Sequence, residues 1–548
     1  MIKRIVLLTL LFSATATAVN ANTPANPDAS CTSLFDESDL QHANLTIGAI
    51  HFQPENVFDL SEPGTFWLHR FANYSHIISK EITIANDLLF TTESPLDLAE
   101  LAETERILRG RSYIRDADIT VSHFCPESST VKVLVKTWDN WSLLPKIDFS
   151  SEGGATEYSI GIAEDNLLGT GNQLQLDYAK DAERTGYLFS FASPNILGSH
   201  WQALTRYANN SDGESYQFNV QRPFYRLSSP WAVSFDVSKD KQQINDYVLG
   251  EKVNQYDRTQ QGFTSFVGWR LAGNSKRIHR LNGGITLDDV SFTENEDTLF
   301  DLPVERNLSR VWVEYQLLED QYRKLYNINQ FNRVEDINLG WQAYLRLGML
   351  QKSLGADASG WQVDAAVEKA WSFQSDLWLL ASLRYHGLKM ADLRQQLIST
   401  HWQLVYQLNR QSSIVGILDL QRGKDLFADE ALYLGGDTGL RAFPLFYQRG
   451  DNRMVATAEY RYYTDWNILH IFDVGFAGFA DAGRSWGAEQ RGENEIDDNI
   501  LYGVGVGIRL LSTHSSRGTM VHIDLTRPVS DNPELGNWQW RITAKRRF

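Results

Sequence analysis

The chain has 548 residues and a formal charge of −17, with 51 Lys and Arg against 68 Asp and Glu. Without a basic stripe to meet phosphate, that balance excludes nucleic acid as a partner. Aromatic residues make up 12%, with 16 Trp, apolar residues only 43%, and there are 38 Gly, a mixture that suits alternating strands around a wet interior; past the N-terminus no run of about 18 apolar residues occurs, so helical membrane spans are excluded.

The N-terminus predicts a signal peptide over residues 1–21: Lys3 and Arg4 precede the apolar run Ile5 to Phe12, and small residues lead to Val19-Asn20-Ala21, with cleavage after Ala21 or Ala18. Residues 22–44, rich in Asn, Pro, Asp and Ser, read as a linker. Cys31 follows Asp28-Ala29-Ser30, a poor context for lipidation. Its only possible partner is Cys125, and an oxidising compartment would permit that bridge; sequence alone leaves their proximity open.

Residues 45–137 have the character of a small α+β domain. A strand is predicted over Leu45 to Phe52, and Trp67 to Phe71 reads as helical. Ser94-Pro95 opens a second helix, with Leu98, Leu101 and Leu108 on one face and Gly110 at its end. Strands follow at Ala117 to Phe124 and Val131 to Thr137, the latter with Val131, Val133 and Val135 opposite Lys132 and Lys136. This order, together with Glu103-Thr104-Glu105-Arg106-Ile107-Leu108-Arg109 and Tyr113-Ile114-Arg115-Asp116-Ala117, resembles a polypeptide-transport-associated (POTRA) domain. Such modules imply a periplasmic platform for extended polypeptides, which would add a strand to the sheet edge at Val131 to Thr137.

From Trp138 to the end at 548, period-2 alternation replaces the helical signal. Leu174, Leu176 and Tyr178, then Tyr216, Phe218 and Val220, then Trp231, Val233, Phe235 and Val237, then Leu339, Trp341, Ala343, Leu345 and Leu347 each face polar or small partners. Short turns such as Asn166 to Gly171 and Asn195 to Gly198 alternate with longer polar connections such as Glu294 to Asn307. The count of candidate strands exceeds sixteen.

The stretch Leu434-Gly435-Gly436-Asp437-Thr438-Gly439-Leu440-Arg441-Ala442-Phe443-Pro444, with Glu459 in Ala458-Glu459-Tyr460-Arg461 and Asp481 in Phe479-Ala480-Asp481-Ala482-Gly483, resembles the BamA/TamA outer-membrane superfamily. The resemblance implies an all-β transmembrane barrel of sixteen antiparallel strands behind one POTRA-like domain. It implies a loop folded into the lumen, with Gly435, Gly436, Gly439 and Phe443 shaping the turn. Arg441 at the tip would pair with Glu459 and Asp481 on the wall, since a guanidinium in a narrow lumen needs fork-like acceptors. Ala442 departs from the family's usual glycine. The plainer alternatives are a solvated loop arginine and a strand-end acid. The glycine ladder Gly503, Gly505, Gly507 before Arg509 also looks like a late strand of that barrel.

The chain stops on Trp538, Trp540, Ile542, Ala544, Arg546 and Phe548, alternating with Gln539, Arg541, Thr543, Lys545 and Arg547. This resembles the last strand of an outer-membrane barrel, whose terminal Phe belongs to the assembly signal; Arg546 departs from the usual apolar residue. Trp538, Trp540, Ile542 and Phe548 would then mark a weak seam with the first strand near Lys146 to Ser150.

Gly483-Arg484-Ser485-Trp486-Gly487 fits G-x-S-x-G, but a nucleophile elbow needs a strand, a sharp turn and a helix, and here a charged loop follows. The 12 His show no metal spacing, and no phosphate loop is present, so no catalytic, cofactor or metal residue is assigned. The expected function is non-enzymatic assistance to insertion or translocation of proteins or lipids at the bacterial outer membrane, with the small domain in the periplasm. Expected partners are outer-membrane lipid, extended polypeptide clients and the barrel assembly machinery during biogenesis. The alternative is a passive channel with a periplasmic tether.

Overall fold

The computed structural model describes residues 31–33, 35, 44–152, 155–181, 183–274, 276–487, 498–515, 519–529, 535 and 538–545, with backbone alone for 144–152 and 155–156. The predicted signal peptide, nearly all of the linker, and Phe548 lie outside the described residues. The chain divides into two compact units, one comprising Met1–His51, Thr91–Leu96 and Thr120–Leu134, the other Phe52–Phe90, Asp97–Ile119 and Val135–Phe548.

In the first unit a disulfide joins Cys31 to Cys125. Thr32 and Phe124 exchange backbone hydrogen bonds of 2.8 Å beside it. Ile47 and the turn at Glu93 and Ser94 are likewise bonded through the backbone, at 2.7 and 2.9 Å.

A three-stranded sheet has the order Thr46–Glu55, Thr130–Asp139, Ile114–Cys125. Val131, Val133 and Val135 are completely buried, as their shared parity requires. Their strand is the middle one, which corrects the expectation that Val131 to Thr137 forms a free edge. Both of its rows of N–H and C=O groups are already paired, so no client strand can add there.

The second unit begins with the helices Trp67–Ser75, Glu81–Ala85 and Leu98–Arg109. The last starts at Leu98 rather than at Ser94-Pro95, because Asp97 caps it by accepting from the Ala99 N–H at 2.8 Å. Leu101 and Leu108 are buried, and Gly110 closes the helix as its spacing predicts.

The remainder is a closed antiparallel barrel running in chain order from Leu143–Glu152 to Gln539–Lys545. Arg306–Asn307 and Arg310–Glu319 both pair with Arg277–Thr293, and Ser412–Lys424 and Leu432–Leu434 both pair with Gln448–Ile468. Among the described residues the ring therefore has twenty strand positions, which corrects the sixteen carried over from the resemblance. Short strands with their own tight turns, such as Asn172–Lys180, Thr185–Ser193, Gln202–Asn210 and Gly213–Arg222, each occupy a full position.

The strand Leu501–Ser512 shows why these residues make a membrane barrel. Tyr502, Val504, Val506 and Ile508 point outward, with Val506 58% exposed, while Gly503, Gly505, Gly507 and the completely buried Arg509 point inward. Apolar outside and polar inside is the reverse of a soluble fold and the pattern of a lipid-facing wall. The ring closes where Ile542 lies opposite Ser151, the one register pair among the described residues at that seam.

Between Arg310–Glu319 and Gln342–Leu350, which pair directly with each other, the chain leaves the wall as a hairpin of Tyr322–Tyr326 and Val334–Asn338. Leu339 and Trp341 belong to the return from this hairpin, so the wall strand begins at Gln342 and not at Leu339.

Candidate functional site

The segment between Ser412–Lys424 and Gln448–Ile468 turns back against the barrel wall. Leu434, Leu440, Ala442, Phe443 and Tyr447 are buried in one cluster with the wall residues Val455 and Leu501. Gly439 has φ of 111°, a conformation open to glycine at little cost, and it ends the short turn Gly436–Thr438. A Cβ on Gly435 would lie 2.2 Å from the Pro444 carbonyl oxygen, so that position has room for hydrogen alone.

The turn places Arg441 against the wall. Its Nε and Nη2 donate to the two carboxylate oxygens of Asp481 at 2.8 and 2.7 Å, and its Nη1 donates to Glu459 at 2.8 Å. The Thr457 hydroxyl donates to Asp481 at 2.9 Å, and the guanidinium lies 3.3 Å from the centre of the Phe479 ring. Asp481 and Glu459 side chains are 1% and 4% exposed; Asp481 draws its compensation from Arg441, and Glu459 draws it from Arg441 and Arg461 together. Ala442 fits despite the missing glycine because the room is made in the wall: a Cβ on Gly503 would come within 2.9 Å of the Ala442 methyl.

Further charges surround this trio. Arg461 donates from Nε to Glu459 at 2.8 Å, Arg509 pairs with Asp524 at 2.6 Å, and Arg541 donates to the Gly436 carbonyl. A side chain at Gly507 would collide with the Arg509–Asp524 pair. Sequence reasoning missed Arg461 and Asp524, and it placed Arg541 on the inward parity without a partner. Their signal was parity: each is charged on the inward side of a strand whose outward side is apolar.

The inserted hairpin reaches the same network from the other direction. Its tip residue Ile328 is buried against Trp378, Val405 and Val415, and Phe331 against Tyr463, Leu511 and Met520, all wall residues of inward parity. The Ile328 carbonyl accepts from Gln403 and Arg461, both at 3.3 Å. At its base, Asp336 accepts two bonds of 2.8 Å from Arg109, Lys324 pairs with Glu105, and Arg106 lies 3.9 Å above the Tyr322 ring. The helix Leu98–Arg109 thus grips the hairpin that fills the lumen.

Beside the hairpin a polar cavity of about 740 Å³ is lined by Arg115, Arg333 and His514 among others. Burial, reinforced by the two guanidinium groups, lowers the His514 pKa to about 3.

Trp538 and Trp540 are exposed, Arg541 and Thr543 are buried, and Ile542 sits at the ring closure. Ser485 lies in the strand Phe472–Gly487 with its hydroxyl 2.8 Å from the Leu432 carbonyl and 3.1 Å from that of Asn452. It occupies no strand-to-helix elbow.

A family model described as the Omp85 superfamily domain matches residues 166–517. Among solved structures, the chain is similar to CdiB from Acinetobacter baumannii, with TM-score 0.42 and 14% identity over 91% of this chain and 73% of that one. It is also similar to BamA from Haemophilus ducreyi lacking POTRA domains 1–3, with TM-score 0.39 and 12% identity over 94% and 88% of the two chains. CdiB from Escherichia coli gives TM-score 0.36 and 12% identity over 96% and 93%. No curated protein matches the sequence.

Proposed function

This chain belongs to the Omp85 superfamily, a family of outer-membrane barrels that translocate or insert polypeptides, and from that premise we propose that it assists insertion or translocation of clients through its wall rather than through its lumen. The observation that carries this reading is the contrast between an interior occupied by a loop and a hairpin and a seam with one register pair among the described residues. Arg441 pins the loop to Asp481 and Glu459, and the hairpin tip is buried at Ile328 and Phe331. Among the described residues the seam has the pair Ile542 and Ser151, whereas Leu143–Glu152 pairs with its other neighbour from Leu143 to Glu152.

In this reading the small domain is periplasmic and POTRA-like, and it receives an extended client on the open part of Thr46–Glu55, one of the two outer strands of its sheet. The Arg441 trio is the lock that keeps the loop seated while the seam opens. Trp540 and Ile542 belong to the strand on the opening side, with Trp538 just before it. Fold alone does not establish such a task, so the test is functional.

Cysteines at Ser151 and Ile542, backbone partners across the seam, are oxidised in cells and the outer-membrane protein profile is compared with that of each single variant. Loss of client proteins on oxidation, reversed by reductant only in the double variant, is the expected result. A passive channel would leave the profile unchanged.

A further inference from the structure

The helix Trp67–Ser75 is amphipathic the wrong way round. Its protein-facing side is small and polar: His69 and Ala72 are completely buried, and Asn73 exchanges two hydrogen bonds with the Phe58 backbone at 3.0 and 2.8 Å. Its outward side carries Trp67, Phe71 and Tyr74, with Trp67 70% and Tyr74 90% exposed, and the chain continues with exposed Ile77, Ile78 and Ile82. A surface helix of a soluble fold buries its apolar stripe, and a contiguous exposed one marks an interaction surface.

The polar side is fastened to the barrel rim at two places. His69 Nδ1 accepts from the Phe66 N–H at 3.1 Å, which leaves Nε2 as the donor to the Leu469 carbonyl at 2.7 Å. His76 bonds Asp139 at 2.8 Å, Ser79 donates to the same carboxylate, and Lys80 and Thr83 both donate to the Gly169 carbonyl, at 3.0 and 2.8 Å. Leu469 lies in the turn before Phe472–Gly487, and Gly169 in the turn after Ala155–Leu167. In the ring the strands between those two turns include Gln539–Lys545 and Leu143–Glu152. The segment 66–83 therefore runs along the rim beneath the seam.

We propose that Trp67–Ser75 and the following isoleucines form an interfacial anchor that lies in the bilayer leaflet at that rim, under the seam. The occupant is lipid because the patch continues the barrel's own lipid-facing belt: Trp466, Ile468 and Leu469 beside one attachment, and Leu168 beside the other, are all exposed. Trp and Tyr favour the membrane interface, and the exposed Arg70 and Lys80, which make no ion pair among the described residues, suit headgroup phosphate. The inference rests on the barrel spanning a bilayer.

The full-length protein is placed in phospholipid vesicles with a bimane label at Tyr74→Cys, the native cysteines being bonded to each other. A parallel sample carries the label at Val506→Cys on the outer wall; native folding of both is checked by heat-modifiable migration. Quenching at position 74 by headgroup-proximal nitroxide lipid, at least threefold stronger than by aqueous iodide, is expected. Iodide access at 74 with lipid quenching at 506 overturns the anchor and leaves the barrel standing. Protection at 74 from both quenchers also overturns it, because a protein then covers the face. Absence of lipid quenching at both positions refutes the membrane-spanning reading itself.

Discussion

Arg461 donates to the Ile328 carbonyl at 3.3 Å while its Nε holds Glu459 at 2.8 Å. One wall side chain therefore touches the hairpin tip directly and the loop through Glu459 and Arg441. The two bodies that fill the lumen share a joint, and perturbing either side is expected to be felt by the other.

Replacing Arg441 by Ala leaves Asp481 without its ion-pair partner and Glu459 with Arg461 alone. Breaking one side of a desolvated pair costs about 3–5 kcal/mol, less where water enters the lumen. Arg441→Lys keeps the charge but not the fork and is expected to fall between wild type and Ala. Thermal unfolding followed by heat-modifiable migration checks both; an Ala variant as stable as wild type would show that the lock contributes nothing.

Gly503→Ala is expected to destabilise the loop seat by about 1–3 kcal/mol through overpacking against Ala442. Ala442→Gly in the same chain should recover most of that loss, because it moves the missing methyl from wall to tip. A double-mutant cycle on the unfolding midpoint measures the coupling, and additive effects would contradict direct contact.

Removing residues 322–338 with a short Gly-Ser closure is expected to open the lumen. In planar bilayers the wild-type chain should show little steady conductance and the deletion a large one. Asp336→Asn, which weakens the grip of Arg109, should give intermittent openings; a quiet deletion variant would mean that the loop alone seals the barrel.

Photo-crosslinkers at His51 and Gln53, exposed on the outer strand Thr46–Glu55, are expected to trap extended clients. The same probe at Lys132, on the middle strand, should trap far fewer, since the backbone edges of that strand are already paired. Equal yields would argue against strand addition as the mode of capture.

His514 sets a pH dependence. Its folded pKa of about 3 lies below the ordinary value near 6.5, so the unfolded chain takes up a proton that the folded one refuses. The stability this group permits is complete above pH about 6.5 and falls as pH drops towards 3, by at most about 1.4 kcal/mol per unit. The unfolding midpoint of His514→Asn should fall less steeply between pH 6.5 and 4; parallel slopes would remove the histidine from the explanation.

The alternating wall was legible because each outward residue is chosen by lipid and each inward one by the lumen, as in Tyr502 to Arg509. The meeting of Arg441 with Glu459 and Asp481 was legible only through the resemblance, since nothing in local spacing brings residues 441 and 481 together. Strand order in the small sheet was hidden for a physical reason: Val131 to Thr137 alternates as an edge strand does, and alternation reports the faces of a strand, not whether its edges are occupied. The hairpin was hidden because Leu339 and Trp341 continue, by chance, the parity of the wall strand that begins at Gln342.

A ring cannot be threaded from the side once it is shut. The pair Ile542 and Ser151 joins the last strand to the first. The hairpin lies in the middle of the barrel sequence and both its ends leave the wall at one rim, between two neighbouring strands, so in a closed ring it can be seated only through that mouth.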